Sequence, residues 1–232
     1  MTADVSQLKR MAAERAVEWV ESGMIVGLGH GSTALEAVRA LAERLKSGAL
    51  KDIVGIPCSV EIGRAAKELG ISLGTLEDYP VVDMTIDGAD EVDRDLNLIK
   101  GGGGALLREK VVAQSSKREV IIVDDSKISQ RLGEKWAVPV EVLPFGVRPQ
   151  REYLESLGSK AVVRLSKDGT LFHTDQGNLI IDCDFGVIED PVTLAERIKA
   201  RTGIVEHGLF VGMATEVVVA SAKGVTVLSR QG

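Results

Sequence analysis

Residues 81–117 read VVDMTIDGADEVDRDLNLIKGGGGALLREKVVAQSSK. Val81 to Ile86 is a run of β-branched and apolar residues, the pattern of a buried strand. It runs into Asp87-Gly88-Ala89-Asp90. A strand that ends in carboxylates is expected to end at an open edge, because unpaired carboxylates are costly to bury. In an open α/β sheet, ligands bind at the carboxyl ends of the strands. Lys100 follows, then Gly101 to Gly104, then a helical run from Ala105 to Ser116. Glycines ahead of a helix let the backbone approach a ligand and aim N–H groups at an anion. Lys100 is expected to add a mobile positive charge there. Glu109 lies early in the helix, with its side chain directed back toward the loop.

Outward from this stretch, strands and helices alternate. Ser6 to Ser22 reads as an amphipathic helix stopped at Gly23. Met24 to Leu28 is a short apolar strand. It leads through Gly27-Leu28-Gly29-His30-Gly31-Ser32-Thr33 into a helix from Ala34 to Lys46. A dinucleotide fingerprint would need glycine where Ser32 stands and an acidic residue after the second strand. That strand, Ile53 to Ile56, ends instead in Pro57-Cys58-Ser59, which opens a helix from Val60 to Leu69. A Gly loop ending in Ser-Thr at a helix start suits a single phosphate, through backbone N–H groups, two hydroxyls and the helix dipole. Ser32 or Thr33 would serve equally as a plain N-cap. Gly70 to Leu73 and Val120 to Val123 complete a mostly parallel sheet covered on both faces. The second of these ends in Asp124-Asp125-Ser126-Lys127.

Beyond Ser126 the order changes. Strands are expected at Ala137 to Leu143, Ala161 to Leu165, Asn178 to Asp184 and Gly203 to Glu206. Helices are expected at Val147 to Leu157 and Pro191 to Ala200. This β-α-β-β-α-β order is that of a ferredoxin-like unit. The fold class is therefore α/β, a Rossmann-like, mostly parallel sheet domain with an inserted, smaller ferredoxin-like α+β domain. The domain boundaries are set at 1–130 plus 207–232 for the first and 131–206 for the second. Thr215 to Ala220 and Gly224 to Leu228 are expected to rejoin the first sheet as antiparallel edge strands.

With 232 residues, 44% of them hydrophobic, the chain can bury a large core, and with 3% aromatics that core is mainly Val, Ile, Leu and Ala. A net charge of −6 argues against a general nucleic-acid or membrane-surface role. It does not argue against a small anionic substrate, which feels the local site. Cys58 and Cys183 form no C-x-x-C, and His30, His173 and His207 lack ligand spacing, so neither a disulfide framework nor a metal site is expected. The N-terminus is charged and helical rather than a signal peptide, and the cytoplasm is the default location.

DGADE followed by KGGGGALLREK at this spacing resembles ribose-5-phosphate isomerase of the A type, and the likeness extends over nearly the whole chain. The resemblance implies reversible aldose–ketose isomerisation of D-ribose 5-phosphate to D-ribulose 5-phosphate in the non-oxidative pentose phosphate pathway, without a cofactor. It implies a homodimer or higher assembly acting on a small sugar phosphate, with neither nucleic acid nor membrane as partner. Moving a proton between C2 and C1 needs one base, and groups that stabilise the oxygens as charge shifts. Glu109 matches the family's proton acceptor, and the apolar residues Leu106 and Leu107 beside it would raise its pKa. Lys100 would neutralise the oxyanion, Asp87 would handle hydroxyl protons and ring opening, and Asp90 would orient Lys100 or the sugar hydroxyls. The substrate-binding set is His30, Gly31, Ser32, Thr33, Asp87, Gly88, Ala89, Asp90, Lys100, Gly101, Gly102, Gly103 and Lys127. His30 stands where many members have Thr, and Cys58-Ser59 where many have Thr-Ser.

Each of these residues taken singly also fits a bland role. Asp87-Gly88 reads as a turn, Lys100 and Lys127 as solvated lysines, and Glu109 as half of a surface pair. Four consecutive glycines argue against that for the group, since their backbone entropy is costly without a close approach to serve. The alternative function is a non-catalytic sugar-phosphate sensor. Such a sensor has no use for a Glu109 and Lys100 pair, and the acidic chain offers no DNA-reading module.

Overall fold

The computed structural model describes residues 4–230. In chain order the elements are α1 (Val5–Val17), β1 (Ile25–Leu28), α2 (Ser32–Lys46), β2 (Val54–Pro57), α3 (Val60–Glu68), β3 (Ser72–Leu73) and β4 (Met84–Asp87). Next come β5 (Glu91–Val92), β6 (Leu98–Ile99), α4 (Leu106–Gln114), β7 (Glu119–Asp124), β8 (Val138–Val142), α5 (Val147–Ser156) and β9 (Lys160–Val163). The last are β10 (Leu179–Asp184), α6 (Pro191–Lys199), β11 (Ile204–His207), β12 (Leu209–Phe210), β13 (Glu216–Ser221) and β14 (Gly224–Ser229). The chain forms two compact units. One takes in Met1–Ala89, Arg108–Lys127 and Met213–Gly232, the other Asp90–Leu107 and Ile128–Gly212.

The first unit holds a seven-stranded sheet in the order β14-β13-β7-β4-β1-β2-β3. Strand side chains alternate between faces, and the sequence uses both. Val26 and Leu28 of β1, Met84 and Ile86 of β4, and Val120 and Ile122 of β7 enter one apolar core. Leu8, Ala12 and Ala16 of α1, Val38 and Leu41 of α2, and Ile62 and Ala66 of α3 fill the same core. On the opposite face Ile56, Cys58 and Val82 pack with Val112 of α4. Each fully buried Val, Leu or Ile in such layers is worth about 1.5–3 kcal/mol. β1 pairs in parallel with both β2 and β4, so the strand order reverses at β1. Crevices at the carboxyl ends of strands at such a reversal are where open α/β sheets take ligands.

The tail departs from expectation. β14 is an antiparallel edge strand, as read from the sequence, but β13 runs parallel to β7. A parallel strand needs a long crossover, and the residues between β7 and β13 supply one. Helix α1 also ends sooner than expected. The Trp19 and Val20 N–H groups donate three residues back, to the Ala16 and Val17 carbonyls, which tightens and closes the last turn.

The second unit carries an antiparallel sheet in the order β11-β8-β10-β9, with α5 and α6 in the crossovers. This is the expected ferredoxin-like β-α-β-β-α-β. Asp190 caps α6 through the Thr193 N–H at 3.0 Å, with Pro191 at the helix start. The same unit has a three-stranded sheet, β12-β6-β5, not foreseen from the sequence. Its strands are two residues long and carry no periodicity to read. They place residues 90–107 in this unit. Ile99 and Leu209, paired across β6 and β12, share its apolar core.

Candidate active site

In the first unit the glycine loop after β1 and the acidic end of β4 lie side by side. Leu28 is in register with Ile86, and the Gly29 N–H donates to the Ile86 carbonyl at 3.0 Å. Asp87 is fully buried, which corrects the expectation of an open edge. Backbone amides take the place of water: the His30 N–H donates to Asp87 Oδ1 at 3.0 Å and the Gly88 N–H at 2.7 Å. Gly29 is required here, because a Cβ would stand 2.2 Å from Asp87 Oδ1. A Cβ at Gly88 would make ordinary contact with Thr33, whose Cβ lies 3.7 Å from that position. Ala89, half-buried, ends the segment.

Gly31 is the N-cap of α2 with φ of 95°, and no side chain caps that helix start. The N-cap reading of Ser32 and Thr33 is thereby corrected: both lie in the first turn. The backbone N–H groups of that turn have no carbonyl within the helix, the condition for receiving an anion. The His30 ring shares a hydrogen bond with Ser59 Oγ at 2.9 Å, and Ser59 caps α3 through the Ile62 N–H. Lys9 was missed in the sequence. It sits on α1, and its Nζ donates to Ser32 Oγ at 2.9 Å. Only the packing of α1 on α2 brings its ammonium to this loop.

Glu109 lies in the first turn of α4 and is 4% exposed. Val112, three residues on, shares its helix face and packs with Ile56, Cys58 and Val82. That is the side of the sheet to which Asp87 projects, since Ile86 points into the opposite core. Lys127 closes a 3-10 turn after β7 and is partly exposed.

In the second unit, the Asp90 N–H donates to the Ile99 carbonyl, and Asp90 Oδ2 accepts from the Gly102 N–H at 2.7 Å. Lys100 is only 2% exposed, with its Nζ 5.5 Å from the centre of the Phe210 ring. The expected mobile charge is thus a buried one, resting on an aromatic face. β6 carries it inward, and its N–H donates to the Gly208 carbonyl at 2.9 Å. Gly101 has φ of 99° and is buried, Gly102 is half-buried, and Gly103 is exposed. Among the described residues, no group of three or more His, Cys, Asp or Glu is arranged to hold a metal ion.

The model of the family ribose 5-phosphate isomerase A (phosphoriboisomerase A) matches residues 54–224. Ribose-5-phosphate isomerase A of Desulfatibacillum aliphaticivorans is 56% identical over 218 residues, covering 94% of this chain and 95% of that protein. The protein of the same name from Chloroflexus aurantiacus is 55% identical and covers 97% of this chain and 94% of its own. Among solved structures, a D-ribose-5-phosphate isomerase in complex with phospho-erythronic acid superposes with a TM-score of 0.96 at 37% identity, over 98% of this chain and 100% of that one. The ribose 5-phosphate isomerase of Plasmodium falciparum gives 0.94 at 42% identity, again over 98% and 100%.

Proposed function

The chain belongs to the ribose 5-phosphate isomerase A family, and we infer from this premise that it interconverts D-ribose 5-phosphate and D-ribulose 5-phosphate. Glu109 is the base. It takes the C2 proton of the open-chain aldose, the C–H electrons form the C1–C2 double bond, and O1 becomes the oxyanion of an enediolate. Asp87 passes the O2 proton to O1, the O2 electrons form the C2=O2 bond, and Glu109 returns the carbon proton to C1, which completes the ketose. Lys100 neutralises the oxygen charge, Asp87 relays hydroxyl protons and assists ring opening, and Asp90 orients the sugar. The phosphate takes the N–H groups and hydroxyls of Gly31, Ser32 and Thr33, with Lys9 and Lys127 as cations.

The observation that carries this reading is that two buried carboxylates lie on the same side of the first unit's sheet. Asp87 ends β4 at the reversal of strand order, and Glu109 sits in the first turn of the helix that covers that side. A base held at 4% exposure is largely shielded from bulk water.

The assembly is proposed to be a homodimer, and Phe145, 93% exposed beside half-exposed Leu143, supplies apolar surface for one. The proposed compartment is the cytoplasm, in keeping with Cys58 and Cys183 as buried thiols. The contiguous insertion is proposed to span 131–206, within the compact unit that also takes in residues 90–107.

The test uses wild type and Glu109→Gln with ribose 5-phosphate in deuterated water, with a chelator present, following ribulose 5-phosphate and deuterium uptake at the exchanging carbon. Turnover in wild type and a loss of several orders of magnitude in the variant are expected. Turnover that survives in Glu109→Gln removes Glu109 as the base and turns attention to Asp87.

A further inference from the structure

The glycine loop of the second unit is gripped from behind. Arg164 follows β9 and is held by its own backbone, its N–H donating to the Ile180 carbonyl at 2.8 Å. Its side chain is 14% exposed, and the guanidinium binds Asp182 of β10 with two nitrogens, Nε reaching Oδ2 at 2.9 Å. The remaining nitrogen, Nη1, donates to the Gly101 carbonyl at 3.0 Å and the Gly102 carbonyl at 3.1 Å. The guanidinium carbon lies 5.7 Å from the centre of the Phe172 ring, and a Cβ on Gly104 would meet that ring at 2.4 Å.

The peptide between Gly101 and Gly102 is trans, as are all described peptides. Its C=O and N–H therefore point opposite ways. The C=O is taken by Arg164, and the N–H donates to Asp90 Oδ2 at 2.7 Å. Hydrogen bonds in series polarise one another, so a cation on the carbonyl strengthens the donor on the other side. Gly102 admits this approach because it lacks a side chain; a Cβ there would stand 2.6 Å from Asp90 Oδ1.

We propose that Arg164, oriented by Asp182, is a positioning residue for the isomerisation, fixing the Gly101–Gly102 peptide from its carbonyl side so that its N–H holds the Asp90 carboxylate in place. An ion pair serving stability alone would need Asp182 and not two loop carbonyls. A lysine could form that pair, but it lacks the planar fork needed to bridge carboxylate and carbonyls together. The inference rests on the isomerase reading and on Asp90's part in it.

The experiment measures kcat and KM for ribose 5-phosphate, and urea unfolding, on the full chain as wild type, Arg164→Ala, Arg164→Lys, Asp90→Asn and the Arg164→Ala/Asp90→Asn double variant. Loss of charge-assisted bonds predicts a fall in kcat on the order of 10- to 100-fold in Arg164→Ala, with KM moving less. Arg164→Lys should not restore it, whereas added methylguanidinium should restore part. The double variant should be no slower than the slower single, because both changes break one chain of contacts. An active wild type with kcat of Arg164→Ala within about twofold, or single effects that multiply in the double variant, overturns the inference and leaves the isomerase reading standing. If Arg164→Ala does not fold, Arg164→Lys decides, and full kcat in that variant overturns the proposal. An inactive wild type removes the isomerase reading, and this inference with it.

Discussion

Gly29→Ala isolates the close approach on which the acidic end of β4 depends. The new methyl would stand 2.2 Å from Asp87 Oδ1, 2.3 Å from its Cγ and 2.5 Å from its Cα. Carbon atoms sit comfortably about 3.5–4.0 Å apart, so the Asp87 backbone must retreat by about 1 Å. Rotating the side chain away does not relieve the contact, because the Cα itself is struck. Overpacking of this kind costs about 1–3 kcal/mol. The same retreat strips Asp87 of the His30 N–H at 3.0 Å, a bond to a charged acceptor worth about 1.5–3 kcal/mol. Together the loss is about 2.5–6 kcal/mol of folding stability. Displacing Asp87 by about 1 Å is expected to lower kcat/KM about 100-fold. The control is Gly70→Ala, where φ is +83° but nothing lies within 4 Å of the new Cβ, so only the left-handed backbone opposes it, at about 1–2 kcal/mol. Urea unfolding followed by circular dichroism gives the stabilities, and initial rates with ribose 5-phosphate give the activity. A Gly29→Ala protein no less stable than Gly70→Ala, or as active as wild type, would refute the steric argument.

Glu91→Ala should lower stability by about 2–4 kcal/mol in thermal unfolding, because the buried carboxylate accepts the N–H groups of Gly133, Lys135 and Trp136 at 2.9–3.2 Å and alanine leaves them without it. Asp83 is held below the usual aspartate pKa by the Lys117 ammonium first and the Ile25 N–H second. Its contribution is therefore present above the unfolded aspartate pKa and lost as pH falls through the lowered folded value. Asp83→Asn should be less stable than wild type at neutral pH by under about 1 kcal/mol, as the pair is partly exposed, with the two curves meeting in acid. Burial pushes the Cys183 thiol up to about 12, and Cys58 is fully buried. Native protein should resist a disulfide reagent at pH 8 and take up two equivalents when unfolded in urea, and rapid labelling of the native chain would contradict the burial.

Local pattern alone determined much of this protein. The strand–loop–helix alternation, the β-α-β-β-α-β order and the placing of DGAD and KGGGG at loops were legible because each rests on neighbouring residues and a short period. The motif residues were legible as chemistry because carboxylates, a lysine and glycines so close together have little structural use. Tertiary structure decided what those side chains experience. Asp87 is buried rather than open because the amides of His30 and Gly88 solvate it. Lys100 is buried because a two-residue strand pairs with β12, some hundred residues away, and such a strand has no periodicity to betray it. β13 runs parallel to β7 because direction is set by the crossover, not by the strand's composition. Lys9 and Arg164 are ordinary surface-type residues in the sequence. Each acquires its place only when a distant element, α1 in one case and the β9–β10 hairpin in the other, packs against a loop whose own residues say nothing of it. Periodicity reports what a residue does for its own helix or strand; which remote backbone a long cationic side chain reaches is fixed only by how those elements pack.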